Sequence, residues 1–148
     1  MLRDAFEHIG ITGKAIERGE IYLVPDKLIT LPEERIPSRP SRTIHEQRPV
    51  LVLQTNADNA ELLYPIVLVA PLSHRVDLKG EQDYRLKADQ GGLTQNSIVH
   101  LGLVQPILKI ELQGDAIGKL DTLAMNDIDA VLAANLGLIE RPSSPKSH

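Results

Sequence analysis

Apolar residues at Leu2, Ala5, Phe6 and Ile9 recur at helical spacing, and Gly10 sits where such a helix would stop. A short N-terminal helix is expected there, continuing brokenly towards Arg18. Residues 21–24 form an apolar run closed by Pro25 and read as a strand. Residues 25–47 carry no apolar period and hold Pro25, Pro32, Pro37 and Pro40. A loop of that length in a compact domain is functional or disordered. Residues 50–54 read as a buried strand, 56–59 as a turn, and the β-branched run 66–70 between Pro65 and Pro71 as the clearest strand. An edge-like strand is expected at 83–86, a turn at Gly91-Gly92, and two further strands at 97–103 and 107–112. Asp121 can cap a final helix, with Leu120 stapled onto Met125, a stripe of Ala124, Ile128, Val131 and Leu132, and Gly137 as its stop. Many short strands, one long early loop and a terminal helix predict a mainly β (α+β) fold, a small, partly open barrel with helices packed on it.

Composition narrows the function classes. The 148 residues fit one domain, and 42% hydrophobic residues suffice for one core, which must be aliphatic because aromatics make up 3%. The chain has no Cys, which excludes disulfide scaffolds, cysteine-zinc sites and cysteine nucleophiles. The N-terminal residues lack the apolar region of a secretory signal. The longest nearly apolar stretch, 62–72, contains two prolines and falls short of the ~20 residues of a membrane helix. A soluble, cytoplasmic protein with no membrane partner is expected.

The net charge of −4 argues against a general nucleic-acid binder, but it is an average over two unlike segments. Between Arg35 and Arg48 there are four arginines (Arg35, Arg39, Arg42, Arg48) against Glu46, a surplus of three positive charges. Between Glu111 and Glu140 six acids face Lys119, a surplus of five negative charges. Arginine suits bidentate phosphate recognition, although a charge run is also what an ordinary solvated loop shows.

Four residues could carry chemistry. His45 lies three residues before Arg48, and Pro49 keeps Arg48 extended at a strand entrance; together they could serve as proton carrier and phosphate clamp. Ser73 ends the central strand without a G-x-S-x-G elbow, so its hydroxyl is either a phosphate donor or an ordinary turn serine bonding its own backbone. Strand alternation would put His100 on the same face as Ile98 and Gly102, opposite a core face of Val99, Leu101 and Leu103. His45, His74 and His100 lack metal-ligand spacing and no phosphate-binding glycine loop is present, so any catalysis should be metal-free and need no cofactor.

These pieces together resemble the MazF/PemK (Kid) toxin family. The resemblance rests on Arg18-Gly19-Glu20-Ile21-Tyr22, on His45-Glu46-Gln47 followed by Arg48-Pro49-Val50, on residues 64–73 (YPIVLVAPLS), on Ser97-Ile98-Val99, and on Ile117-Gly118-Lys119-Leu120 with Leu136-Gly137-Leu138. It covers residues 18–139 as one barrel domain, leaving 1–17 as a helical extension and 140–148 as a disordered tail. It implies an SH3-like β-barrel with a C-terminal helix, a homodimer, and a toxin neutralised by a cognate antitoxin. It further implies a metal-free endoribonuclease that cuts single-stranded RNA through a 2′,3′-cyclic phosphate. Carried over, Arg48 would stabilise the phosphorane, Ser73 would hold the phosphate, and His45 and His100 would stand in as the acid–base pair. His100 falls where the PemK branch has an arginine, Gly102 where it has an aspartate base, and Gln105 where an arginine is common. RNA contacts are expected from Arg35, Arg39, Arg42, Gln47, His74 and Gln105. The missing carboxylate leaves an alternative, a catalytically weakened module that keeps antitoxin or RNA binding.

Overall fold

The computed structural model describes residues 15–32, 46–112 and 114–141. Seven strands make one antiparallel sheet: β1 Glu20–Pro25, β2 Gln47–Val52, β3 Ile66–Ser73, β4 Tyr84–Leu86, β5 Ser97–Val99, β6 Gln105–Leu108 and β7 Gly118–Lys119. Their order is β4-β5-β3-β2-β1-β7, and β6 also pairs with β3. A single turn of helix, α1 Asn56–Ala60, joins β2 to β3, and α2 Thr122–Asn135 closes the chain.

Alternation along the strands builds two cores, one on each side of the sheet. Ile21, Leu51, Ala70, Leu72 and Val99 meet Leu120, Ala124, Met125 and Ile128 beneath α2. Tyr22, Val24, Val50, Val52, Val67 and Val69 meet Ile29, Leu31, Ile107 and Leu112 on the other side. β3 is the hub: its first half pairs with β6, its end pairs with β5, and β2 runs along its other edge. The second core is enclosed without a complete ladder. The Gln105 carboxamide accepts from the Thr30 amide at 2.9 Å and donates to the Thr30 carbonyl at 3.2 Å. One side chain thereby joins the segment after β1 to β6, closing a curled half-barrel.

The terminal helix follows its sequence signals. Asp121 accepts from the Ala124 amide at 2.8 Å. Gly137 adopts φ +74° and donates to the Ala134 carbonyl at 3.1 Å, while Leu138 donates to Ala133 at 2.8 Å, a Schellman stop. Other expectations are corrected. The strand predicted at 97–103 ends at Val99 and gives way to a 3₁₀ turn at Leu101–Leu103. Because both faces of the sheet are covered, Ile98 and Val99 are both fully buried; alternation holds as far as Leu101, which shares the core of Val99, and fails at Leu103, which packs on the opposite core. The strand predicted at 107–112 ends at Leu108: the Lys109 amide makes the last rung of the ladder, to the Pro65 carbonyl, but Pro65 has no N–H to return, and the chain enters a 3₁₀ turn at Lys109–Glu111, with the Lys109 ammonium bound to the Asp58 and Glu61 carbonyls at the end of α1. The turn at 56–59 is helical, β1 and β3 extend beyond their predicted limits, and β2 starts three residues early but ends at Val52, short of the predicted Gln54. The start of the expected loop is packed, with Asp26, Ile29 and Leu31 buried. Residues 15–17 are not helical. The predicted N-terminal helix at 2–10, the arginines at 35, 39 and 42, His45 and the tail at 142–148 lie outside the described residues.

Candidate functional site

Directly paired residues of antiparallel strands share a face. β2 and β3 pair Val50 with Pro71, so two residues on the register brings Arg48 opposite Ser73. β3 and β5 pair Ser73 with Ile98, and β4 and β5 pair Ile98 with Arg85. Arg48, Ser73, Ile98 and Arg85 thus form a row across four strands, about 14 Å long at the usual strand spacing. The neighbouring row on that face holds Val50, Pro71, His100 and Asp83. Two contacts support it: the His100 amide donates to the Pro71 carbonyl at 2.9 Å, and the Asp83 carboxylate lies 3.6 Å from His100 Nδ1. Ser73 and His100 are diagonal neighbours, for which about 7–8 Å is typical.

Arg48 is the most constrained member. Its guanidinium is about a tenth exposed, and Nε donates to the fully buried carboxylate of Asp26 at 2.6 Å. Nη1 donates to the Leu72 carbonyl at 2.8 Å, one residue before Ser73. Among the described residues Nη2 makes no hydrogen bond. The arrangement therefore presents a directed N–H rather than a net positive charge, because Asp26 compensates the cation locally. Asp26 opens the 3₁₀ turn Asp26–Leu28 that follows β1, and its carbonyl accepts from the amide of Ile29, the residue that closes the turn, at 3.1 Å.

Ser73 accepts from the Arg75 amide at 3.1 Å, the local serine turn weighed from the sequence, and its hydroxyl proton stays available as a donor. Gln47 and His74 are exposed at the adjoining strand ends. Gln105 is brought to β6 rather than to these rows, and its amide is committed to Thr30 and to the Leu103 carbonyl. Arg75 is tied to Asp77 at 3.2 Å, and that hydrogen bond holds the Asp77 carboxyl below its ordinary range. Among the described residues no group of three or more His, Cys, Asp or Glu could hold a metal ion.

Three residues of this face were missed from the sequence. Asp26 follows a strand-closing proline in a proline-rich stretch, where an acid normally faces water. Its signal was positional: an acid just past the end of one strand and an arginine at the start of the next. Arg85 and Asp83 lie on a weak edge strand, and only the β4–β5 register shows where they point.

The match to known proteins agrees with this architecture. The family described as PemK-like, MazF-like toxin of type II toxin-antitoxin systems matches residues 17–136. Among solved structures, an endoribonuclease in complex with its cognate antitoxin from a mycobacterial species is 22% identical, with a TM-score of 0.60 over 84% of this chain and 98% of the other. The Mycobacterium tuberculosis toxin MazF-mt6 is 21% identical, with a TM-score of 0.58 over 80% of this chain and 96% of its own. MazF from Deinococcus radiodurans is 14% identical, with a TM-score of 0.59 over 84% and 98%. No curated protein matches the sequence significantly. The two-core half-barrel is the fold of these structures, and with the family match spanning most of its length, the chain belongs to the PemK-like, MazF-like toxins of type II toxin–antitoxin systems.

Proposed function

We propose that this protein is a sequence-selective endoribonuclease that cleaves single-stranded RNA without a metal ion, and that a cognate antitoxin neutralises it. The reading includes a homodimer acting in the cytoplasm. The observation that carries it is the convergence of Arg48, Ser73 and His100 on one face of the sheet, with Arg85 extending that face by a cation. In the reaction the ribose 2′-oxygen attacks its own phosphorus, its proton passes to a base, and the P–O5′ bond breaks. The leaving oxygen takes a proton from an acid, giving a 2′,3′-cyclic phosphate and a 5′-hydroxyl. Arg48 Nη2 and the Ser73 hydroxyl donate to the phosphorane oxygens, His100 takes the proton and His45 returns one. Arg35, Arg39, Arg42, Arg85, Gln47 and His74 contact phosphates and bases, whereas Gln105, expected among these contacts, is committed to Thr30 and Leu103 and takes no part.

A second reading, a binding module without cleavage, draws on the charge compensation of Arg48 by Asp26 and on the absence of a carboxylate at Gly102. One assay separates them. Purified protein is incubated with a long RNA in EDTA, and the new 5′ ends are mapped. Discrete cuts bearing 5′-hydroxyls support the enzyme; intact RNA that still binds the protein supports the module.

A further inference from the structure

We infer that Asp83 is a positioning residue for His100, supplying the carboxylate that fixes the tautomer and orientation of this imidazole for RNA cleavage; the inference rests on the cleavage reading above. The register that pairs Tyr84 with Val99 continues to Asp83 opposite His100, so the two side chains meet as a cross-strand pair. Asp83 Oδ1 lies 3.6 Å from His100 Nδ1, and both side chains are largely buried, at 12% and 19% exposure. The second oxygen, Oδ2, accepts from the Gly80 amide at 2.9 Å, which sets the rotation of the carboxylate and aims Oδ1 at the ring. The segment is tied at the C-terminal end of α2: Asn135 Nδ2 donates to the Gln82 carbonyl at 3.1 Å and Arg141 Nη1 to the Glu81 carbonyl at 2.9 Å, and Gln82 lies beside Gly102. A carboxylate delivered from position 83 thus stands beside the position where none is carried at Gly102.

The chemistry follows from the pair. A carboxylate facing Nδ1 favours the tautomer with its proton on Nδ1, leaving the Nε2 lone pair as the acceptor. The 2′-hydroxyl proton moves to Nε2 as the O2′–P bond forms, and Asp83 stabilises the imidazolium without taking the proton itself. At 3.6 Å the contact is longer than a hydrogen bond, as is common in unliganded sites whose catalytic contacts tighten around substrate.

Asp83→Asn makes the decisive variant. Its one amide oxygen must accept from the Gly80 amide, which turns the amide NH2 towards Nδ1 and forces the opposite tautomer. Cleavage of a single-site RNA oligonucleotide is measured for the wild type, Asp83→Asn, Asp83→Glu, His100→Ala and the Asp83→Asn/His100→Ala double variant. The expected result for Asp83→Asn is a kcat lower by about 100-fold or more with KM nearly unchanged. Asp83→Glu recovers part of the rate, and Asp83→Asn adds no further loss to His100→Ala. Nitrogen-15 shifts of the His100 ring show the proton on Nδ1 in the wild type and on Nε2 in Asp83→Asn. The inference is overturned by an Asp83→Asn enzyme with wild-type kcat, by an equal further loss on the His100→Ala background, or by a wild-type ring protonated on Nε2. Wild-type protein that does not cut RNA overturns the cleavage reading and this inference together. A wild type that cuts, alongside an Asp83→Asn variant that cuts equally well, overturns this inference alone.

Discussion

Under the cleavage proposal Arg48 has two roles, ion pairing and catalysis, that a simple truncation would confound. Removing its guanidinium leaves the Asp26 carboxylate buried without its cation, and such half-pairs cost about 3–5 kcal/mol. Arg48→Ala is therefore expected to lower the urea midpoint strongly as well as to abolish cleavage. Replacing both partners with apolar side chains, as in Arg48→Met/Asp26→Leu, should recover most of the stability but none of the cleavage; recovery of cleavage would remove Arg48 from the mechanism. Arg85 gives a cleaner test because it is exposed: Arg85→Ala should raise the KM for RNA and leave the unfolding midpoint unchanged. Tyr22 predicts an alkaline limit. Burial, reinforced by the hydrogen bond to Glu20, raises its phenol above the ordinary 10.0. The folded state therefore keeps the proton that the unfolded chain releases, so stability is full below pH ~10 and falls as pH rises above it. Tyr22→Phe should move the onset of alkaline unfolding to higher pH. At this scale the sequence was legible where one residue constrains another locally, as Pro49 does Arg48. It was silent where a partner arrives from a distant strand, as Asp26 and Asp83 do.

Helix α2 was legible because its cap, stripe and stop are local. Asp121→Ala should cost about 1 kcal/mol in a denaturant titration. Strands were legible where both faces carry aliphatic residues and prolines bound them, as in β3. The ends of β5 and β6 were not, because pattern alone cannot distinguish a continuing strand from a 3₁₀ turn that keeps its apolar residues buried. Lys109 illustrates the difficulty: a lysine at the end of an apolar run looks solvent-bound, yet it is buried and caps α1 through two carbonyls. Burial lowers its pKa despite the nearby Glu61 and Asp58. The glycine before Lys119 is explained by backbone proximity. A Cβ on Gly118 would stand 2.3 Å from the Gly91 carbonyl oxygen, and one on Gly92 2.0 Å from that of Ile117. Gly118→Ala should therefore destabilise at least as much as core overpacking does, about 1–3 kcal/mol, by separating β7 from the 90–92 turn.

Across the whole molecule, the sequence-wide charge of −4 says little about the face that would meet RNA. Several acids of the C-terminal half have local duties: Asp121 caps α2, Asp127 accepts from Tyr84 at 3.1 Å, and Asp129 pairs with Arg18. Binding to RNA should weaken steadily as salt rises, with a slope that Arg85→Ala makes shallower; a salt-independent affinity would argue against phosphate contacts. The partly open barrel was foreseeable from many short strands, one long early loop and a terminal helix, whereas its closure by the Gln105 side chain was not, since a carboxamide acting as a strand partner leaves no periodic trace. The three-way pairing of β3 has a consequence for synthesis on the ribosome. β1, β2 and β3 emerge first, the last two aligning Arg48 with Ser73, but β4 and β5 follow, and α2 must still emerge before the apolar face beneath it is covered. A nascent chain halted before α2 thus presents a sticky, incomplete sheet rather than the finished fold. If the folded protein cuts RNA as proposed, the cell that makes it is shielded from it until translation of the barrel is nearly finished.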